Sequence, residues 1–261
     1  MLTFPEFNPY IFKLGPVHPT WYGLMYVIGF GCAYLLGVRR TKSNPAWSKE
    51  DVSDLMTYLM LGVVLGGRIG YVLFYGMGYW ARDWLYPLKI WEGGMSFHGG
   101  LLGVIFLLWL FGRKKGKAFW AVADYVAPMI PPGLFFGRIG NFINGELWGR
   151  PTDVPWGMVF PGTHDGIPRH PSQLYEAGLE GIVLFLAIWF YSAKPRRSGQ
   201  VSGLFLILYG VFRSLVELVR QPDGQVNFLI GEITMGQALS LPMILLGLWL
   251  MLRRGPRADV S

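Results

Sequence analysis

The chain has 261 residues, of which 52% are hydrophobic and only 15% charged, where about 25% charged is usual for a soluble domain. That balance excludes a disordered or collagen-like chain and argues against an ordinary water-soluble enzyme. A net charge of +7 would raise nucleic-acid binding in a soluble protein, but here the basic residues sit in short clusters between apolar runs, as membrane topology signals do.

In chain order, residues 1–20 form an arm that mixes Phe4, Phe7, Tyr10, Ile11 and Phe12 with prolines. It lacks the basic start and small-residue cleavage site of a removable signal peptide and is expected to lie along the outer membrane interface. Seven apolar segments follow, over Trp21–Val38, Leu55–Phe74, Met95–Phe111, Phe119–Gly140, Leu174–Tyr191, Gly203–Val219 and Thr234–Leu252. Helices are expected, because lipid leaves no water for unpaired backbone groups. Gly66-Gly67 and Pro131-Pro132 are expected to interrupt the second and fourth, and the Gly66–Gly70 spacing allows close helix approach. Arg39, Arg40, Lys42 and Lys49 follow the first segment, Arg113, Lys114, Lys115 and Lys117 the third, Lys194, Arg196 and Arg197 the fifth, and Arg253, Arg254 and Arg257 the seventh. The positive-inside rule then predicts an all-α polytopic membrane protein of about seven transmembrane helices, N-terminus outside and C-terminus cytoplasmic. Residues 141–172, the longest polar stretch, fall outside, and the whole of 1–261 reads as one integral membrane domain.

An ionisable group inside a spanning helix is expensive, about 2.5–3.5 kcal/mol or more at its centre, and is a functional candidate by default. Arg68, His98, Asp124, Arg138, Glu180, Arg213 and Glu217 qualify, with Glu146 and Glu176 near segment ends. The topology puts Arg68, His98, Arg138 and Arg213 in the outer half of the membrane. Tyr209, Arg213 and Glu217 recur every fourth residue and share a helix face; an internal ion pair is the plain alternative to an arginine aimed at an anion. Arginine suits phosphate because its planar fork makes two parallel charge-assisted bonds. No Walker-type loop and no HExxH pair occurs, so no metal is expected. Cys32, the one cysteine, excludes a disulfide framework and reads as a small apolar residue of the first helix. Buried cations near the outer leaflet favour an enzyme acting on an anionic lipid over a transporter, which would show inverted repeats and a midplane site, and over a scaffold.

The stretches GGMSFHGG (93–100), GRIGNFINGELWGR (137–150), RHPSQLYE (169–176) and YGVFRSLVE (209–217), with the opening FPEFNPYIF, GPV and WYGLMY, closely resemble the prolipoprotein diacylglyceryl transferase family over nearly the whole chain. The resemblance implies transfer of diacylglyceryl from phosphatidylglycerol to the lipobox cysteine of a prolipoprotein signal peptide, releasing glycerol 1-phosphate, at the outer leaflet of a bacterial cytoplasmic membrane and without a cofactor. It places the family's essential arginines on Arg138 and Arg213, its histidine on His98, its signature residues on Asn141, Glu146 and Gly149, its tyrosines on Tyr22 and Tyr209, and its glutamate on Glu217. Thr20 stands where some members carry histidine. Arg68 joins the expected headgroup ligands by its depth alone. The chemistry suits these groups. A thiol of pKa about 8.5 is only a few per cent thiolate at neutral pH; His98 is a candidate either to accept its proton or to position the headgroup, Tyr22 is the other participant, and water is the remaining acceptor. The leaving phosphate gains charge that Arg138 and Arg213 would stabilise. Reporter fusions at Lys115 and Gly162 are expected to report opposite sides of the membrane; a shared side overturns the topology.

Overall fold

The computed structural model describes residues 2–5, 7–14, 18–221 and 234–253; the GPV stretch (15–17), Arg254 and Arg257 lie outside the described residues. The long helices are α1 (Trp21–Thr41), α2 (Lys49–Phe74), α4 (Phe97–Lys115), α7 (Ser172–Tyr191), α8 (Gln200–Glu217) and α9 (Met235–Leu252). Among the described residues these six are long and apolar enough to cross a membrane. The short helices are α3 (Met77–Trp80), α5 (Phe119–Val126) and α6 (Ile130–Ile143). Backbone contacts divide the chain into one unit of residues 38–123 and another of residues 1–37 and 124–260.

Two expected interruptions are corrected. The fourth apolar segment does break, but at a 3-10 turn over Ala127–Met129 rather than at Pro131-Pro132. Pro128 lies within that turn, while Pro131 and Pro132 fall in the first turn of α6, where a missing N–H leaves no bond unmade. The second segment is not interrupted at all. α2 runs unbroken through Gly66-Gly67 and starts earlier than its apolar run, because Ser48 forms a reciprocal capping box with Asp51.

Within the 38–123 unit, those glycines serve packing. α2 and α4 run antiparallel with Gly62, Gly66 and Gly70 set against Val104, Gly103 and Gly99; a Cβ on Gly66 would lie 2.8 Å from the Gly103 Cα, and one on Gly70 2.7 Å from the Gly99 Cα. Bare backbone at the seam lets the helix axes approach, the packing on which association in lipid relies. At the far end Lys115 Nζ bridges Asp51 and Asp54 at 2.9 and 2.8 Å, and Trp47 stacks on buried Phe111.

In the other unit α8 and α9 pair antiparallel through Gly203, Gly210 and Gly247. Asp124 secures the start of α8, accepting from Gly199 N–H (2.6 Å), Ser202 N–H (2.8 Å) and Ser202 Oγ–H (2.6 Å). Ala127, Leu184, Ile188 and Val201 form the core beneath. α7 opens as α-helix and passes through a π-helical stretch over Ala177–Val183 before returning to α. The 141–172 stretch is more ordered than its composition promises. Gly149–Arg150 and Pro151 run antiparallel to Arg169–His170, and Met158 exchanges bonds of 2.9 and 2.8 Å with Arg169. The arm joins it: β1 (Leu2–Thr3) pairs in parallel with β2 (Met158–Val159), and Phe4 packs on Phe142 and Phe160 at 5.2 and 5.1 Å.

Gly66→Val is expected to lower the detergent melting midpoint by about 5 °C or more, since overpacking costs about 1–3 kcal/mol. Gly31→Ala, which would meet nothing within 4 Å, is expected to leave it unchanged or raised. Equal midpoints for both variants would contradict the seam.

Candidate active site

Charged side chains carried by apolar helices must find partners or remain outside lipid. In the unit of residues 1–37 and 124–260, three helices solve this together. α6 supplies Arg138, α7 supplies Glu176 and Glu180, and α8 supplies Arg213 and Glu217, with Arg220 just beyond its end. Glu176 is the shared acceptor. Its Oε2 contacts Arg138 Nε and lies 3.5 Å from Arg213 Nη1, and its Oε1 lies 3.7 Å from Arg220 Nε. Arg213 Nη2 makes a second pair with Glu217 Oε2 at 2.7 Å, so the expected helix-face pair forms. Glu180 Oε2 lies 3.9 Å from Arg138 Nη2.

Exposure gives the cluster a direction. The Glu176, Glu180 and Glu217 side chains are 1%, 0% and 4% exposed, whereas Arg138 and Arg213 are 21% and 14% exposed. The carboxylates are the deeply buried partners, and the arginine side chains reach nearer the surface. The π-helical stretch begins at the residue after Glu176 and contains Glu180; such widened turns concentrate at functional sites. Its Gly181 lies so close to α6 that a Cβ would sit 2.9 Å from the Phe135 Cα. Gly236, in the first turn of α9, likewise makes room for Glu217: a Cβ there would lie 2.7 Å from Oε2.

A second chain of bonds leads away from Arg138. Its Nη1 donates to Asn141 Oδ1 (3.3 Å), and Asn141 Nδ2 donates to Glu146 Oε1 (2.8 Å), which also accepts from Asn144 Nδ2 (3.3 Å). Gln173 Nε2 holds the Glu146 carbonyl at 2.6 Å. Tyr22 lies beside Asn141 and Glu146, packs on Gly140, and places its hydroxyl 3.3 Å from that of Tyr26. Gly149 donates its N–H to the His170 carbonyl at 2.8 Å, and a Cβ on it would lie 2.5 Å from the Val219 carbonyl oxygen. Only glycine lets those strands close. Burial pushes the His170 imidazole below its ordinary range; its Nδ1 is 3.2 Å from the Tyr175 hydroxyl, to which Trp156 Nε1–H donates at 2.7 Å. Tyr209 sits one turn before Arg213 and stacks on Phe205.

The structure thus brings Arg138, Arg213, Glu217, Asn141, Glu146 and Tyr22 into one connected network. Arg68 and His98 belong to the other unit. His98 is the second residue of α4, exposed, with its ring edge-on to Phe97 at 5.6 Å. Arg68 departs from the expectation of a headgroup ligand. It is 3% exposed, and Nε donates to Pro87 O (3.2 Å), Nη2 to Tyr86 O (2.6 Å) and Lys89 O (3.0 Å), and Nη1 to Gly93 O and Gly94 O. With all its N–H groups engaged by carbonyls, it organises the loop leading to Ser96, which caps α4, and has no fork to offer. By sequence Glu176 and Glu180 are candidates through their place in or near an apolar segment, with no part expected alongside Arg138 and Arg213, and Arg220 is not a candidate. The available signal was two glutamates four residues apart in an apolar helix, and an arginine seven residues after Arg213 on the same face.

A family model described as prolipoprotein diacylglyceryl transferase matches residues 9–253. Similar proteins include one from Solidesulfovibrio magneticus, 57% identical over 264 residues and covering 100% of both chains. One from Nitratidesulfovibrio vulgaris is 59% identical over 255 residues, 96% of each chain. Another from Legionella pneumophila is 58% identical over 252 residues, 96% of this chain and 98% of its own. Each of the three is named phosphatidylglycerol–prolipoprotein diacylglyceryl transferase.

Arg68→Lys removes a fork that a single ammonium cannot replace. Hydrogen exchange of amides in residues 85–96 is expected to accelerate about tenfold or more, with α8 unaffected. Unchanged protection in that loop would remove Arg68 from its organisation.

Proposed function

The chain belongs to the prolipoprotein diacylglyceryl transferase family, and from that premise we propose that it moves the diacylglyceryl group of phosphatidylglycerol to the lipobox cysteine thiol of a prolipoprotein. The sulfur forms a bond to the glyceryl carbon while the bond from that carbon to the phosphate oxygen breaks. The thiol proton goes to a base and glycerol 1-phosphate leaves. The observation that carries this reading is the meeting of Arg138 and Arg213, from separate helices, on the carboxylate of Glu176, with both arginine side chains more exposed than that carboxylate.

The phosphodiester brings one negative charge and the leaving phosphate monoester gains a second. Cations fixed in place before reaction favour that product-like charge over the bound lipid, which lowers the barrier rather than merely tightening binding. Glu217 orients Arg213. Asn141 orients Arg138 and links it to Glu146, and Tyr22 at the same place offers a hydroxyl toward the glycerol headgroup. Tyr209 flanks Arg213, and Gly149 holds the connection that carries Glu146 against Gln173. His98 serves the reaction either as acceptor of the thiol proton, a step an imidazole can take near neutrality, or by positioning the headgroup. The protein works in the bacterial cytoplasmic membrane, with seven spans counting the α5–α6 pair, its N-terminus outside, and this cluster toward the outer leaflet. The six apolar helices and the basic clusters of the alternate connections support that orientation.

Purified protein with phosphatidylglycerol and a lipobox peptide is expected to yield the peptide with a diacylglyceryl mass increase and free glycerol 1-phosphate; no product in any detergent would argue for a transporter. Arg138→Lys is expected to accumulate normally and lose about 100-fold or more in turnover, since a point charge cannot replace the fork. Near-normal turnover would take Arg138 out of the mechanism.

A further inference from the structure

Among the carboxylates of the cluster, Glu176 contacts the most guanidiniums, three. It is 1% exposed, and its two oxygens together contact guanidiniums from α6, from α8 and from just beyond α8. Bringing two cations onto one carboxylate oxygen is unfavourable without the carboxylate, because like charges at contact repel most strongly where water is excluded. Its position is fixed by the fold. Pro171 precedes the helix, Gln173 ties the first turn to the Glu146 carbonyl at 2.6 Å, Ser172 Oγ donates to the Leu147 carbonyl at 2.9 Å, and the π-helical stretch begins immediately after.

From this geometry we infer that Glu176 is a positioning residue for the transfer reaction, holding Arg138 and Arg213 at the separation at which both face one phosphate; the inference rests on the transferase reading above. Glu176 itself is deeply buried and donates nothing to the lipid. It acts through the arginines. Among the described residues, Glu217 pairs with Arg213 and Arg220, on and just beyond α8, and the ion pair of Glu180 is with Arg138, at 3.9 Å. Glu176 is therefore the one of these three carboxylates in ion-pair contact with arginines of both α6 and α8. Its removal also deletes a negative charge beside an anion site, so affinity for the anionic headgroup would not fall even as the two cations move apart.

The test is a double-mutant cycle on the full-length detergent-solubilised protein. Glu176→Gln is expected to lower kcat about tenfold or more while the KM for phosphatidylglycerol stays level or falls. In the Arg138→Lys background the same change is expected to cost no more than about threefold, because the paired placement of two forks that Glu176 maintains is already lost with the Arg138 fork. A merely structural role would lower kcat by the same factor in both backgrounds, and that additive result overturns the inference, as does Glu176→Gln turnover within threefold of the unaltered protein. If Glu176→Gln fails to accumulate, Glu176→Asp keeps the charge but is one methylene short, and the same cycle is run with it. Absence of product from the unaltered protein counts instead against the transferase reading. The cycle is then read as affinity for glycerol 1-phosphate, where additive effects again overturn the inference.

Discussion

Three guanidiniums sunk among apolar helices are compatible with a folded protein only because carboxylates go in with them. Deleting one partner of such a buried pair typically costs about 3–5 kcal/mol, most of it the penalty of the charge left behind. Arg138, Arg213 and Arg220 meet Glu176, Glu180 and Glu217, so the formal charges cancel within the cluster. This balance constrains the surrounding fold: α6, α7 and α8 must converge, and the chain around Glu176 must present its oxygens to several elements at once. It also suits the chemistry. A site whose cations are paired with buried carboxylates can meet a phosphodiester without first exposing bare positive charge to lipid.

Backbone proximity is the second organising constraint. Without a hydrophobic force between helices in lipid, contact must come from close packing, and the α2–α4 and α8–α9 pairs both reach it through glycines. Side chains pointing away from these seams stay apolar and exposed, as Leu73, Phe74, Leu102 and Leu252 do. In water these would be liabilities; in a bilayer they are the solvated face.

The sequence carried the helices well because apolar runs in lipid admit one answer. Its segment ends erred where a cap or a proline decided the boundary. Ser48 and Asp51 extend α2 into polar sequence that no hydropathy reading would include, and Pro128 breaks the fourth segment ahead of the more conspicuous proline pair. In the site, residues within one helical turn of each other were legible: Arg213 with Glu217 follows from spacing alone. Glu176 was not, since its partners come from helices more than 30 positions away in each direction. Arg68 shows the converse. A charge at the right depth looks like a ligand until its partners are seen to be backbone carbonyls, and carbonyls leave no trace in the side-chain sequence.

Gly236 has no functional group, yet it leaves the space that the Glu217 carboxylate occupies. Gly149 does the same for two strands that meet at the His170 and Val219 carbonyls. Inactivity after substitution at either position would therefore report lost room, not lost chemistry. A mutational map of this protein scored on product alone would draw the reactive centre too large, and its outline becomes meaningful only when each intolerant position is sorted by whether it contributes an atom or an absence.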